Sequence, residues 1–141
     1  GNIYVLISDG ECQEGTTWES LLIAAKHKLD NLIIIVDYNK IQALSKLEDA
    51  LPLKNLKKKF LAFNCETINV IDGHSFRSIL KSFKNKKKSL KPRVIIFNTI
   101  KGKGIKKFEN DPVWHARKIE GKDILHGKKS LRMLWEEFLE S

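Results

Sequence analysis

The sequence predicts an α/β fold, a parallel sheet with helices on both faces. Two observations carry this. Short, unbroken apolar runs (Ile3–Ile7, Leu32–Val36, Val94–Phe97) read as strands buried on both sides, and Thr67–Ile71 reads as a further strand. Between them lie segments whose apolar residues recur at helical spacing. Strands alternating with helices imply parallel pairing and helical layers on both faces.

Taken in order, Ile3–Ile7 is the first strand and ends at Ser8-Asp9-Gly10-Glu11. Thr16 or Thr17 is the expected cap of the next helix, on which Trp18, Leu21, Leu22 and Ala25 form one stripe. Asp30-Asn31 turns the chain into Leu32–Val36, which delivers Asp37-Tyr38-Asn39-Lys40-Ile41 to its end. A loop from Gln42 to Pro52 follows. Pro52 then opens a helix carrying Leu53, Leu56, Phe60 and Leu61. Thr67–Ile71 ends at Asp72-Gly73-His74, and Ser75 caps a helix with Phe76, Ile79, Leu80 and Phe83. Lys84 to Lys91 is a charged loop leading to Val94–Phe97. Gly102 and Gly104 loosen a long loop running through Lys122. Ser130 caps a last amphipathic helix with Leu131, Leu134, Trp135 and Phe138. The order is β-α-β-α-β-α-β-loop-α, with no internal repeat and no domain boundary over residues 1–141.

The chain has 141 residues, 42% of them hydrophobic, enough for one packed core. No apolar run approaches the roughly 20 residues that span a bilayer, so no membrane role is expected. The chain opens directly inside a strand, which is read as a piece cut at its amino end. Cys12 and Cys65 match no metal spacing and fit a reduced, cytoplasmic protein. Net charge is +9 with a pI near 9.6. The lysines cluster at Lys54, Lys57-Lys58-Lys59 and Lys81 to Lys91 without interleaved aromatics, as on a solvated face, so no nucleic-acid partner is expected.

If the first two strands are parallel, Asp9 and Asn39 arrive on the same sheet edge. The carboxyl ends of parallel strands are where ligands bind. A carboxylate and an amide oxygen are hard donors of the kind Mg²⁺ or Ca²⁺ takes. Gly10 lets a phosphate approach the backbone closely. Metal plus phosphate is the chemistry these residues suggest, although Asp-Gly and Asn alone are equally ordinary turn residues.

Asp9-Gly10, the spacer, and Asn39-Lys40-Ile41 resemble the thiamine diphosphate motif of the transketolase family. Glu11-Cys12-Gln13-Glu14-Gly15, Trp18-Glu19, His27-Lys28-Leu29-Asp30-Asn31-Leu32, Asp72-Gly73-His74, Thr99 through Gly104 and Trp114-His115 extend the likeness over nearly the whole chain. They resemble the amino-terminal, diphosphate-binding subunit of split transketolase-like enzymes. Ser8 departs from the commonest pattern, which has Gly before Asp-Gly, and the segment Glu120–Lys129 departs from what is familiar.

The resemblance implies a partial thiamine diphosphate-binding fold, the carboxy-terminal part of a diphosphate-binding domain. It implies Asp9, Asn39 and the Ile41 carbonyl as ligands of Mg²⁺ (or Ca²⁺), and backbone donors at Gly10 and Glu11 for the diphosphate. It places Ala43 and Ile100 against the thiazolium ring. Glu14 and Glu19 match acidic residues of the subunit interface, and a Glu buried there against another would hold a proton. His115 matches a histidine near diphosphate and sugar, able to donate or move a proton. Glu14 and His115 are thus the catalytic candidates. His74 is read as structural, its ring tied to nearby backbone. The implied activity is transfer of a two-carbon ketol unit between sugars, with a pyrimidine-binding (carboxy-terminal) transketolase subunit or domain as partner, in a homo- or hetero-oligomer, and a sugar phosphate or related sugar as substrate. A 1-deoxyxylulose-phosphate synthase relative would use the same half-site. Outside this class, the rivals are a non-catalytic fragment or interaction module and a basic nucleic-acid-binding domain.

Overall fold

A computed structural model describes residues 1–43, 45–84 and 89–140, the side chains of Glu137, Phe138 and Glu140 excepted. Within them a parallel sheet has the order β1-β2-β4-β3, built from β1 (Ile3–Ser8), β2 (Leu32–Tyr38), β3 (Glu66–Val70) and β4 (Arg93–Asn98). The register sets Ile3 beside Leu32 and Ser8 beside Asp37. Tyr38 pairs with Asn98 at the same end. The carboxyl ends of β1, β2 and β4 therefore lie side by side.

Five α-helices accompany the sheet among the described residues: α1 (Gly15–Lys26), α2 (Leu47–Ala50), α3 (Leu56–Ala62), α4 (Phe76–Lys84) and α5 (Lys122–Glu140). The alternation along each strand sorts the core into two layers. Ile34, Val36, Val94 and Ile96 face α1 and α3 through Leu21, Trp18, Leu56 and Phe60. Ile33, Ile95, Phe97 and Val70 face the opposite way, towards Ile79 of α4. Helices thus cover both faces, as the apolar runs predict. β1 is an edge strand whose Ile3, Tyr4 and Leu6 are more than half exposed.

Several boundaries differ from the sequence reading. α1 starts at Gly15, so Thr16 and Thr17 lie inside it. The Thr17 hydroxyl instead donates to the Glu11 carbonyl at 2.7 Å. Leu22 points outward, and Ala24 takes its place in the buried stripe. α3 begins after Asn55, whose side chain accepts from the Lys58 amide. Pro52 therefore precedes the helix rather than opening it, and α2 interrupts the expected loop. Ile71 lies beyond β3 and Phe76 on the outer side of α4, both strongly exposed. Ser75 does cap α4, accepting from Ser78 N at 3.3 Å. α5 begins at Lys122, well before Ser130. Its start is pinned where Asp123 pairs with Lys107 and Arg117, and Gly121 turns with φ +51°. Within the expected Lys84 to Lys91 loop, residues 85–88 lie outside the described residues, as does the Phe138 side chain expected on the last stripe.

Candidate functional site

A cleft of about 490 Å³ opens at the carboxyl ends of the strands. Its walls come from three loops, each leaving a different strand. Ser8 ends β1 and Asp9, Gly10, Gln13 and Glu14 follow it, while Asp37 lies in the last residues of β2 and Asn39, Ile41, Gln42 and Ala43 follow that strand. Lys101 and His115 come from the loop after β4. The parallel register makes this convergence, because each strand hands its following loop to the same edge.

Asp9 is nearly inaccessible, with 2% of its surface exposed. Its Oδ2 accepts a 2.6 Å hydrogen bond from the Lys40 amide. Burial pushes its carboxyl above the usual Asp range, and the neighbouring Asp37 charge adds to this, against the opposing Lys40 hydrogen bond. Among the described residues no cationic side chain forms an ion pair with it.

Asn39 is held at both ends of its amide. Nδ2 donates to Asp37 Oδ2 at 3.2 Å, and Oδ1 accepts from the Ile41 amide at 3.0 Å. The other Asp37 oxygen accepts from the Thr99 hydroxyl, which ties the end of β2 to that of β4. Between Asn39 and Ile41, Lys40 adopts φ +64°. The turn is closed by the Ile41–Lys46 bridge and by Gln42 N donating to Ser45 O.

Glu14 sits at the entry of α1, exposed, with no side-chain cap bond, facing the cleft. Glu19 is exposed on α1. His115 ends the short 3₁₀ turn Pro112–His115, which the Asp111 side chain caps by accepting from Val113 N. Trp114 folds this turn back by stacking on the buried Phe108, ring centroids 4.1 Å apart.

Two candidates lie beside the cleft rather than on it. Ile100 lines an adjacent cavity with Tyr38, Lys46 and Asn110, which shares Asn39 and Ile41 with the cleft that Ala43 lines. Glu11 turns away, its carboxylate accepting from Ser8. His74 Nε2 accepts from the Ile100 amide at 2.8 Å, the backbone tie expected of it.

Sequence reasoning passed over Asp37, Lys101, Gln13 and Gln42. Gln42 Nε2 donates to Gln13 Oε1 at 2.8 Å, joining the first two loops. Lys101 brings a cation opposite Asp9. Its place after a predicted strand, inside the Thr99 through Gly104 stretch that carries the resemblance, is what separates it from the many other lysines.

Among the described residues no three His, Cys, Asp or Glu side chains converge as a metal cluster. The oxygen set of Asp9, Asn39 and the Ile41 backbone is of another kind, with one carboxylate and neutral carbonyl-type donors. A buried carboxyl with no ion pair among the described residues, beside a fixed amide, suits a hard divalent cation, and the site so fits Mg²⁺ or Ca²⁺. A cation set in this cleft beside Lys101 and open backbone at Gly10 suits an anionic partner such as a diphosphate.

Fold and cleft together define a parallel α/β domain with an anion- and cation-compatible site at its strand ends. The family described as "Transketolase, thiamine diphosphate binding domain" matches residues 1–139, and the chain belongs to that family. It is 43% identical over 122 residues to one subunit of the apulose-4-phosphate transketolase of Actinobacillus succinogenes, covering 86% of this chain and 44% of that protein. It is 36% identical over 135 residues to one subunit of the 6-deoxy-6-sulfo-D-fructose transketolase of a Clostridium species, covering 95% of this chain and 45% of that one. The transketolase structure of Campylobacter jejuni superposes with a TM-score of 0.83 at 35% identity, over 92% of this chain and 20% of that one. The chain thus spans less than half the length of the curated relatives it matches. Among the described residues no helix is long and apolar enough to cross a membrane.

Proposed function

We propose that this chain supplies the diphosphate- and metal-binding half of a transketolase-type active site, as the carboxy-terminal part of a diphosphate-binding domain in a cytoplasmic enzyme. The observation that carries the reading is the single cleft shared by Asp9, Gly10, Glu14, Asn39, Ile41, Ala43, Lys101 and His115. When bound, thiamine diphosphate supplies the carbanion chemistry of two-carbon ketol transfer between sugars.

The chain's residues have distinct tasks in this reading. Asp9, the Asn39 amide oxygen and the Ile41 carbonyl hold Mg²⁺ (or Ca²⁺), and the cation offsets the diphosphate charge. Gly10 gives the anion room at the backbone, and Lys101 adds a positive charge on the opposite wall. Asp37 fixes the orientation of the Asn39 amide. His115, exposed at the rim, donates to phosphate or moves a proton at the sugar. Ala43 and, from the adjacent cavity, Ile100 provide aliphatic surface for the ring system. Glu14, and Glu19 behind it, face a pyrimidine-binding partner, which completes the site in a homo- or hetero-oligomer.

The test is calorimetric titration of thiamine diphosphate into the chain with Mg²⁺, with Ca²⁺ and with a chelator, beside Asp9→Ala. Metal-dependent binding that vanishes in the variant supports the half-site. Binding equal in the presence of chelator, or unchanged in Asp9→Ala, overturns it. Addition of a pyrimidine-binding transketolase subunit tests the second half, with two-carbon transfer between sugars as the readout.

A further inference from the structure

Three hydrogen bonds join Ser8 and Glu11 into a closed clip around Asp9 and Gly10. The Ser8 amide donates to Glu11 Oε2 at 2.7 Å, and the Ser8 hydroxyl donates to the same oxygen at 2.9 Å. In return the Glu11 amide donates to Ser8 Oγ at 3.2 Å. This is the reciprocal exchange of a capping box, here spanning the exit of a strand and one 3₁₀ turn (Glu11–Gln13).

The clip is anchored from outside. The Glu11 carbonyl accepts from Thr17 Oγ1 at 2.7 Å and from the Glu14 amide at 3.1 Å. The thiol of Cys12, itself buried, donates to the Ser8 carbonyl at 3.5 Å. Asp9 and Gly10 are thus bracketed on both sides while the Asp9 carboxyl reaches across to Lys40.

The clip has a second, electrostatic effect. Ser8, Asp9, Gly10, Gln13 and Glu14 all line the cleft, whereas Glu11 between them does not. Its carboxylate is turned back onto Ser8. Released, that charge would stand one residue from Gly10, where an anion approaches the backbone, and would repel it.

We propose that Ser8 and Glu11 are positioning residues for the diphosphate. The clip presets the Asp9-Gly10 turn and keeps the Glu11 charge out of the anion's path. This rests on the half-site reading above and adds a role for two residues that touch neither metal nor anion through their side chains.

The experiment is the thiamine diphosphate and Mg²⁺ titration repeated on the full chain carrying Ser8→Ala, Ser8→Thr, Glu11→Gln and the Ser8→Ala/Glu11→Gln pair, with thermal midpoints measured without ligand. Ser8→Ala removes the two bonds made by the hydroxyl and leaves the Glu11 carboxylate held by the Ser8 amide alone, free to swing toward the cleft; binding falls about tenfold, in line with the loss of charge-assisted hydrogen bonds. Ser8→Thr keeps the hydroxyl and restores wild-type affinity. The paired variant recovers part of the loss, since the loosened charge is gone, and the Ser8→Ala deficit shrinks as salt is raised. A merely structural role moves the thermal midpoint but produces neither recovery nor salt dependence. Should Ser8→Ala not fold, Ser8→Gly carries the same test. Ser8→Ala binding within twofold of wild type, or a loss that the paired variant leaves unchanged, overturns the proposal alone. Wild-type binding that ignores the metal and Asp9→Ala overturns the half-site reading and this proposal with it.

Discussion

The Lys40 amide donates to the Asp9 carboxyl at 2.6 Å, across 31 positions of sequence. This bond couples the exit of β1 to the turn after β2, and it sets the buried carboxyl beside the fixed Asn39 amide. Much of what the cleft can do follows from this pair.

Asp9 gives the chain a pH signature. Its folded pKa lies above the ordinary value of 3.8, chiefly through burial. The native state therefore holds a proton that the unfolded chain has already released, and stability falls as pH rises from that ordinary value through the raised one. Urea midpoints against pH for wild type minus Asp9→Asn show this fall. On the proposed half-site reading Mg²⁺ would take Asp9 ionised, so added Mg²⁺ is expected to restore stability increasingly with pH in wild type and not in Asp9→Asn.

Lys40 tests the turn itself. Its φ of +64° is a left-handed conformation that proline does not adopt, and its N–H is engaged by Asp9. Lys40→Pro removes the donor and leaves a buried carboxyl unmet, costing about 2 kcal/mol or more. Lys40→Gly keeps the donor and relieves the Cβ, and it stays within about 1 kcal/mol of wild type. Denaturant titration of the two variants checks the contrast.

Lys101 stands in the cleft wall without an ion pair among the described residues. Lys101→Met weakens thiamine diphosphate binding about tenfold through a lost charged contact, with the thermal midpoint nearly unchanged. The deficit narrows at high salt, where exposed charges are screened. Calorimetry at two ionic strengths reads both effects.

Gly102 positions the loop that carries Lys101 and His115. Its φ is +75°, and a Cβ there would lie 2.4 Å from the Phe108 carbonyl oxygen. Gly102→Ala therefore destabilises the chain by about 3 kcal/mol, from strain and overpacking together. Urea unfolding measures the loss. By contrast Gly121→Ala, also at positive φ, meets nothing within 4 Å and costs less.

β1 leaves an apolar edge, with Leu6 at 69% exposure. An open, apolar edge strand is a template for association. The isolated chain is expected to self-associate with rising concentration, and Leu6→Lys to reduce this in light scattering.

Much of this architecture was legible because β1, β2 and β4 are nearly continuous apolar runs. So was the meeting of Asp9 with Asn39, once those runs were taken as parallel neighbours. The placement of β4 between β2 and β3 was not, since strand pairing across long stretches of sequence leaves no local pattern. Ile71 and Phe76 look like core residues by hydropathy, and tertiary packing leaves both outside. The start of α5 was hidden because the Asp123–Lys107 pair that pins it joins residues 16 apart. The Ser8–Glu11 clip is different. Its S-x-x-E spacing stood in the sequence and was obscured only by the Asp-Gly inside it.

Cys12 packs under this same turn, 1% exposed, with its thiol pushed up to about 12 by burial and by the charges of Asp9 and Glu11. Cys65 is buried too, at about 11. A thiolate, not a thiol, reacts with alkylating reagents. In the closed native chain both sulfurs are therefore chemically silent at neutral pH. Labelling of Cys12 then proceeds only as often as the Asp9 turn comes apart, so its rate is a clock for the opening of the cleft floor, and a ligand that holds the turn shut slows it.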